Sequence, residues 1–218
     1  MYHTPKGEAY WRDEACYKFT LRQIEDELEE PAERLHQLCL EVVEHAVHHT
    51  PTMERLAIPP QYHDWIKQSW LDREPSLYGR FDFRYDGKGP AKLYEYNADT
   101  PTAVFEAAVF QWMWLENRIE RQDLPEGTDQ FNSLHEALIE RFPQVTDGDR
   151  LMHFTSVDDG YEDRATTMYM EDCARQAGLH TRWVDIEQIG VDANHRYADH
   201  ESDVIEQIFK LYPWEFMH

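Results

Sequence analysis

Charged and amide side chains alternate with aromatic ones in two short stretches of the sequence. In GRFDFRYD the polar positions include Arg80 and Asp82, and in KLYEYN they include Glu95 and Asn97. Side chains two residues apart point to the same face of a β-strand, so each pair would share a face. Asp82, Glu95 and Asn97 carry the hard oxygen atoms that bind Mg²⁺, usually together with substrate phosphates. The spacing therefore suggests a magnesium site on a β-hairpin.

Arg80 lies beside this oxygen cluster in the sequence. A guanidinium group could neutralise the charge on a transferring phosphoryl group. The alternative is an amphipathic hairpin with a solvated polar face and a surface pair between Arg80 and Asp82. Taken alone, the spacing favours this alternative. The turn does not fix the register, and a shift by one residue would move the side chains of one strand to the opposite face.

Two threonines follow in the sequence NADTPT. Pro101 is well placed to open a helix and Thr100 to cap it, with Thr102 in the first turn. Free backbone N–H groups and the helix dipole make such an end a binding position for a carboxylate or a phosphate. Ordinary capping by threonine is the commoner role. The neighbouring magnesium-type residues are what make an anion site competitive here.

Histidines in the first predicted helix form a second candidate metal site. Glu41, His45 and His49 are spaced by four residues and would share one helix face, with His48 beside them. The HExxH order and a further ligand are absent from this stretch. We therefore predict that these histidines are solvated.

An acidic run, DDGYED, follows a predicted buried strand. It contains Asp158, Asp159, Glu162 and Asp163. Because α/β folds bind ligands at the carboxyl ends of their strands, the run is a secondary candidate for substrate binding. A solvated loop that caps the next helix is the alternative that we favour.

The elements that must position these residues follow from hydrophobic periodicity. A helix is predicted from Pro31 to about Thr50, with the apolar stripe Leu35, Leu38, Val42 and Ala46. A short helix, QYHDWIKQSWLD, precedes the hairpin, whose loop contains GKGP. A long helix follows from Pro101, with the buried positions Phe105, Ala108, Trp112, Leu115 and Ile119. Another helix is predicted for FNSLHEALIERF.

The pattern changes at Arg150. The strand LMHFTSV, the helix EDRATTMYMEDCARQAGL and the strand TRWVDIEQIG are typical of a βαβ unit with parallel strands. The loop after the first strand lacks GxGxxG, and the chain lacks GxxxxGK[ST], so ordinary dinucleotide and P-loop sites are not expected. We predict an α/β chain with a helical and hairpin region over residues 1–149 and a βαβ segment over residues 150–218.

Composition limits the class of partner. The 218 residues include 43 acidic and 21 basic ones, for a formal net charge of −22. Such a surface repels phosphate backbones, so nucleic acid is not expected as a partner. The sequence contains neither an apolar run of membrane-spanning length nor a signal-peptide pattern. The three cysteines form no CxxC pair, which is typical of reduced thiols in the cytoplasm.

Several motifs resemble the glutathionylspermidine synthase family. They are YGRFDFRYDG, KLYEYNADTPT, EAAVFQWMWLE, YMEDCARQAGL and LYPWEFM, which together extend over nearly the whole chain. The resemblance implies an ATP-grasp synthetase fold with a Rossmann-like pre-ATP-grasp βαβ segment. It also implies the joining of a carboxylate to an amine through an acyl-phosphate, with ATP and Mg²⁺.

The resemblance assigns roles by position. Arg80 would contact the transferring phosphoryl group of ATP, and the magnesium ligands would be Asp82, Glu95 and Asn97. Thr100 and Thr102 would replace serines that contact glutathione, so an anion contact is expected while the identity of the acid is open. The amidase domain of the bifunctional members has no counterpart here, so Cys16 receives no catalytic role.

Chains of this family continue beyond LYPWE, so the resemblance implies that most of the ATP pocket lies past His218. The expected function is an ATP- and Mg²⁺-dependent ligase that takes a glutathione-like or other peptide carboxylate and a polyamine-like amine. The alternative is a catalytically incomplete member that only binds a cation and an anion.

Overall fold

The computed structural model describes residues 3, 6–11, 14–157 and 161–216 of the chain. The α-helices are α1 (Glu30–Val47), α2 (Thr50–Arg55), α3 (His63–Leu71), α4 (Gln111–Glu120), α5 (Leu134–Val145) and α6 (Tyr161–Gln176). The strands are β1 (Arg80–Arg84), β2 (Lys92–Asn97), β3 (Met152–Ser156), β4 (Thr181–Trp183), β5 (Gly190–Val191), β6 (Tyr197–Ala198) and β7 (Gln207–Leu211). This mixture of helices and strands confirms the predicted α/β class.

The predicted βαβ unit is confirmed by β3, α6 and β4. Strands β4, β3 and β7 form a sheet in that order, and β3 pairs in parallel with both neighbours. All five residues of β3 are buried, as expected for the central strand of a parallel sheet. Helix α6 ends before Gly178, whose φ of +88° is a conformation that glycine adopts without strain.

The main buried cluster joins the helices to this sheet. Phe142 of α5 and Phe154 of β3 are fully buried, and their ring centroids lie 6.2 Å apart. The cluster contains Val104, Ala108, Leu138, Phe142, Met152, Phe154, Tyr169, Met170, Cys173 and Ala174. It takes residues from both sides of the predicted boundary after residue 149, and that boundary stays a prediction.

The first helix differs from its prediction. A wider π-helical segment, Gln23–Glu29, runs directly into α1, so helical structure begins well before Pro31. Ala46 is buried, but Leu38 and Val42 are 47% and 60% exposed, so only part of the predicted stripe faces the core. Within the described ranges, no helix combines the length and the hydropathy that a membrane span requires.

The other face of β3 carries a buried polar network. His153 is fully buried, and its Nε2 atom lies 3.1 Å from Oδ2 of Asp199. Asp199 also accepts hydrogen bonds from Arg182 and from the backbone amides of Glu201 and Asp203. Burial raises the pKa of Asp199, but the hydrogen bonds from Arg182, His153 and the amides outweigh it, so the pKa is lowered.

We expect Asp199→Asn to destabilise the fold and to flatten its response to acid. The pKa of Asp199 is lower in the folded than in the unfolded protein. Ionised Asp199 therefore stabilises the fold above about pH 4, and this contribution is lost as the pH falls below that value. The variant should lose about 1–3 kcal/mol at pH 7, because the groups facing the carboxylate lose their ionised partner. Urea unfolding across acidic pH would measure both effects. Equal pH slopes for the two proteins would contradict the prediction.

Candidate functional site

The hairpin register brings the predicted polar residues together. Strands β1 and β2 are antiparallel, with Asp82 opposite Glu95 and Arg80 opposite Asn97. The register shifts just after Asp82, where Phe83 pairs with Leu93 and β2 contains one extra residue. With this β-bulge, the carboxylates of Asp82 and Glu95 lie on directly opposite residues of the hairpin.

Aromatic side chains hold the hairpin from its other side. The rings of Phe81 and Tyr96 stack with centroids 4.0 Å apart, and the Tyr96 hydroxyl lies 3.1 Å from Nδ1 of His36 in α1. Gly79, just before β1, passes so close to Tyr96 that a Cβ atom there would lie 2.6 Å from the ring. The polar face is thus fixed from behind by tight packing.

We therefore expect Gly79→Ala to destabilise the protein by about 1–3 kcal/mol, because the stacked Tyr96 ring would have to move. Gly148→Ala is the matched control, since a Cβ there would meet its nearest neighbour, Leu179, at an ordinary 4.0 Å. Urea unfolding of the two variants would measure the difference. Equal stabilities would show that Tyr96 yields without cost.

Arg80 is held in a single orientation by three side-chain contacts. Its Nε and Nη2 atoms donate to the two carboxylate oxygens of Asp82 at 2.8 and 3.2 Å, and Nη1 donates to Oγ1 of Thr102 at 3.2 Å. The hydrogen bond to Asp82 is the main reason that the pKa of Arg80 is raised. Burial opposes it, and the charges of Asp82, Glu95 and Glu162 add to it. The predicted surface pair therefore exists, but it also reaches the threonine loop.

Asn97 shapes the loop of residues 98–103, called the site loop below. Its Oδ1 atom accepts hydrogen bonds from the backbone amides of Thr100 at 3.0 Å and Asp99 at 3.3 Å. Its Nδ2 atom donates to the Thr100 carbonyl at 3.3 Å. The Tyr78 hydroxyl donates to the Pro101 carbonyl at 2.5 Å, and burial raises the Tyr78 pKa. These contacts fix the loop backbone from the hairpin side.

The predicted helix start at Thr100 and Pro101 is wrong. The helix begins at Val104, and a π-helical turn, Glu106–Phe110, leads into α4. Ala103 has a φ of +66°, a left-handed conformation, so Thr102 is not part of the right-handed helix that follows. Thr100 and Thr102 therefore lie in the site loop, not at a cap. Their contact with a substrate anion stays a prediction.

The carboxylates of Asp82 and Glu95 fit a magnesium ion that is completed by other ligands, and Asn97 would join them by exchanging the loop amides that its Oδ1 atom accepts. Glu95 is exposed and has no hydrogen bond or ion pair with the described residues, while the Asp82 side chain is 43% exposed. Across the described ranges, no three or more His, Cys, Asp or Glu side chains are grouped to hold a metal. Two carboxylates and an amide would need oxygens from phosphate or water, as is usual for Mg²⁺.

Tyr10 and Glu106 form a contact that the sequence analysis did not predict. The Tyr10 hydroxyl donates to Glu106, and this contact together with burial raises the Tyr10 pKa. The Oε2 atom of Glu106 is buried without a hydrogen-bond partner among the described residues. Glu162, in the first turn of α6, raises the pKa of both Tyr10 and Arg80, so its charge acts on the same region.

The remaining candidates have simpler outcomes. His45 and His49 are exposed and share the hydroxyl of Thr52, at 3.3 and 2.8 Å, which confirms the prediction of solvated histidines. Asp158 and Asp159 of the acidic run lie outside the described residues. Glu162 is exposed in the first turn of α6, and its role in substrate binding stays a prediction.

The chain matches the glutathionylspermidine synthase preATP-grasp family over residues 1–218. It is 38% identical over 223 residues to a Haemophilus influenzae protein named as an acid–amine ligase, covering 97% of this chain and 53% of that protein. It is 26% identical over 218 residues to the bifunctional glutathionylspermidine synthetase/amidase of Escherichia coli, covering 98% and 34%. The chain thus spans about half the length of the first relative and about a third of the second.

Among solved structures, the apo form of a glutathione synthetase-like effector from Globodera pallida is similar, with a TM-score of 0.55. The identity is 12%, and the match covers 87% of this chain and 49% of that one, so the likeness concerns the fold alone. With the family match, it confirms the expected synthetase-like fold with a preATP-grasp segment.

Proposed function

Because the chain belongs to the glutathionylspermidine synthase preATP-grasp family, we propose that it forms part of an ATP- and Mg²⁺-dependent carboxylate–amine ligase. The names of its relatives support an acid–amine ligase of this type. The observation that carries the proposal is the hairpin register, which sets Asp82 opposite Glu95 with Arg80 bonded to both Asp82 and Thr102.

Arg80 is the residue to which we assign the transferring phosphoryl group. Its guanidinium is already oriented by Asp82 and Thr102, so little reorganisation is needed when negative charge develops nearby. Asp82, Glu95 and Asn97 would hold Mg²⁺, which when bound would offset negative charge on the phosphates.

The site loop is the region to which we assign the acid substrate. The hydroxyls of Thr100 and Thr102 would donate to a carboxylate of a glutathione-like or other peptide acid, within reach of Arg80. A carboxylate oxygen would bond to the γ-phosphorus of ATP as ADP leaves, which gives an acyl-phosphate. The amine nitrogen would then bond to the acyl carbon, releasing phosphate and one proton.

We assign the amine to the acidic side of the site. Glu106 has a buried oxygen without a hydrogen-bond partner among the described residues, and the charges of both Glu106 and Glu162 raise the pKa of Tyr10. Two carboxylates favour a polyamine-like cation.

A cytoplasmic location also stays a prediction.

A second candidate is a binding module without catalysis of its own. It is favoured by the share of the relatives that this chain spans, about half of the first and about a third of the second. Such a module would keep the cation and anion positions of the hairpin and the site loop.

The test is ADP release with ATP, Mg²⁺, glutathione and spermidine, by this chain and by a longer form that continues past His218. Turnover by the longer form alone would support a ligase whose site is completed by the later residues. Turnover by neither would reject the ligase. Mn²⁺ binding without turnover would then favour the binding module.

A further inference from the structure

Asp99 links the site loop to the end of the parallel sheet. Its Oδ1 atom accepts a hydrogen bond from Nζ of Lys210 at 2.7 Å, and its Oδ2 atom accepts one from the backbone amide of Trp214 at 3.1 Å. Lys210 lies on β7, 111 residues away along the chain. Both carboxylate oxygens are therefore engaged by the C-terminal part of the described structure.

The lysine end of this link is buried and fully engaged. Lys210 is 9% exposed, and its ammonium group also donates to the Tyr212 carbonyl at 2.7 Å. It lies 4.3 Å from the centroid of the Trp214 ring, at cation–π distance. A buried ammonium that loses its carboxylate is strongly destabilised, unlike one in an exposed surface pair. The Asp99–Lys210 pair is thus a specific structural connection.

The other anchors of the site loop come from the opposite side. Tyr78 binds the Pro101 carbonyl, Arg80 binds Thr102, and Asn97 binds the Thr100 backbone. Those contacts fix the loop to the hairpin. The Asp99 contact fixes it to β7, so the site loop connects the hairpin to the sheet.

We propose that Asp99 is a positioning residue for the site, acting through Lys210 and the Trp214 backbone. It holds the site loop so that Asn97 stays beside the hairpin carboxylates and the two threonines stay beside Arg80. In this role the carboxylate contacts Lys210 and the Trp214 amide, and it binds neither cation nor substrate itself. The part of the proposal that concerns cation binding rests on the proposed function.

Two variants separate positioning from direct binding. Asp99→Asn removes the charge at the loop end, and Lys210→Met removes the ammonium but leaves Asp99 ionised. We expect both to weaken Mn²⁺ binding, read by the electron paramagnetic resonance of the free ion, by about tenfold. If Asp99 were a cation ligand, Lys210→Met would instead tighten binding by freeing its carboxylate. Tighter binding would overturn the proposal.

Hydrogen exchange tests the link without any metal. In both variants we expect faster amide exchange in peptides that cover the site loop and residues 207–214. Unchanged exchange in these peptides would overturn the proposal. Asp123→Asn is the control, because it breaks the pair with Arg118 beyond the far end of α4 and should change neither measurement.

The two measurements also distinguish failure of the proposed function. If the unaltered chain binds no Mn²⁺, the proposed metal site fails, and hydrogen exchange alone decides whether Asp99 positions the loop. If Mn²⁺ binds but both variants bind it as tightly as the unaltered chain, Asp99 does not position the site. Non-additive losses in the double variant would support a single shared link.

Discussion

Replacing Arg80 by methionine should lower ADP release by about 10²- to 10³-fold, the loss typical of removing a preorganised donor to developing charge. Arg80 is the one described cation bonded to both the hairpin carboxylate Asp82 and the site-loop residue Thr102. Methionine keeps much of the side-chain length but removes the charge and all donors. The measurement is steady-state turnover by the shortest form of the protein that releases ADP.

Two companions give this prediction its control. Arg84 lies on the same strand but is exposed and reaches only Asp86, at 4.0 Å, so Arg84→Met should leave turnover within about threefold, as expected for an exposed pair. Arg80→Lys keeps the charge but loses the planar fork, so its loss should be intermediate. Equal turnover by Arg80→Met and Arg84→Met would remove Arg80 from the site.

The alternation of side chains in the hairpin was enough to predict which residues share a face, but not which residues meet. Pairing of Asp82 with Glu95 depends on the β-bulge that follows it, and the extra residue in β2 carries no distinctive sequence signal. Without that bulge, the residues on one side of it would each pair with the neighbour of their present partner, and Asp82 would not lie opposite Glu95. The register therefore required the structure.

The helix after the hairpin shows how tertiary contacts override capping preferences. Proline at position 101 and threonine at position 100 are typical of a helix start, yet the Pro101 carbonyl is bound by Tyr78 and Thr102 is bound by Arg80. The backbone stays non-helical until Ala103, which has a positive φ, and the helix begins at Val104. A local sequence pattern contains no information about either partner.

The βαβ segment was predicted more fully, because its signals are local. A buried run forms β3, a periodic helix forms α6, and Gly178 marks the helix end. The contacts that connect this segment to the hairpin were not predictable in the same way. Asp99 and Lys210 are 111 residues apart, and Tyr10 and Glu106 are 96 residues apart, so no spacing rule links them.

The site region therefore combines a locally encoded hairpin with long-range contacts. The aromatic face of the hairpin packs against α1 through Tyr96 and His36, while the site loop contacts β7 through Asp99. Its polar face is held between these attachments. Residues that carry the proposed chemistry should then be separable by experiment from residues that hold the hairpin in place.

Glu95 offers the sharpest separation, and Glu95→Gln should weaken Mn²⁺ binding by about 10- to 100-fold, at least the loss seen when an outer-shell partner is removed. Its carboxylate is exposed and has no bond to the described residues, so the substitution breaks no contact of the fold. The free energy of unfolding without metal should therefore change by less than about 0.5 kcal/mol. Titration with Mn²⁺ and urea unfolding would measure the two quantities.

Asp86→Asn is the matched control, because Asp86 is an exposed carboxylate just past β1 whose pair with Arg84 is long, at 4.0 Å. It changes the net charge by the same amount as Glu95→Gln but should leave Mn²⁺ binding unchanged. A similar loss in both variants would mean that Mn²⁺ responds to the overall acidity of the chain. Asp82→Asn should weaken Mn²⁺ binding as well, but it also releases Arg80, so we expect it to lower the free energy of unfolding. A loss of stability in Asp82→Asn but not in Glu95→Gln would show that Asp82 holds the arginine, whereas Glu95 only binds the cation.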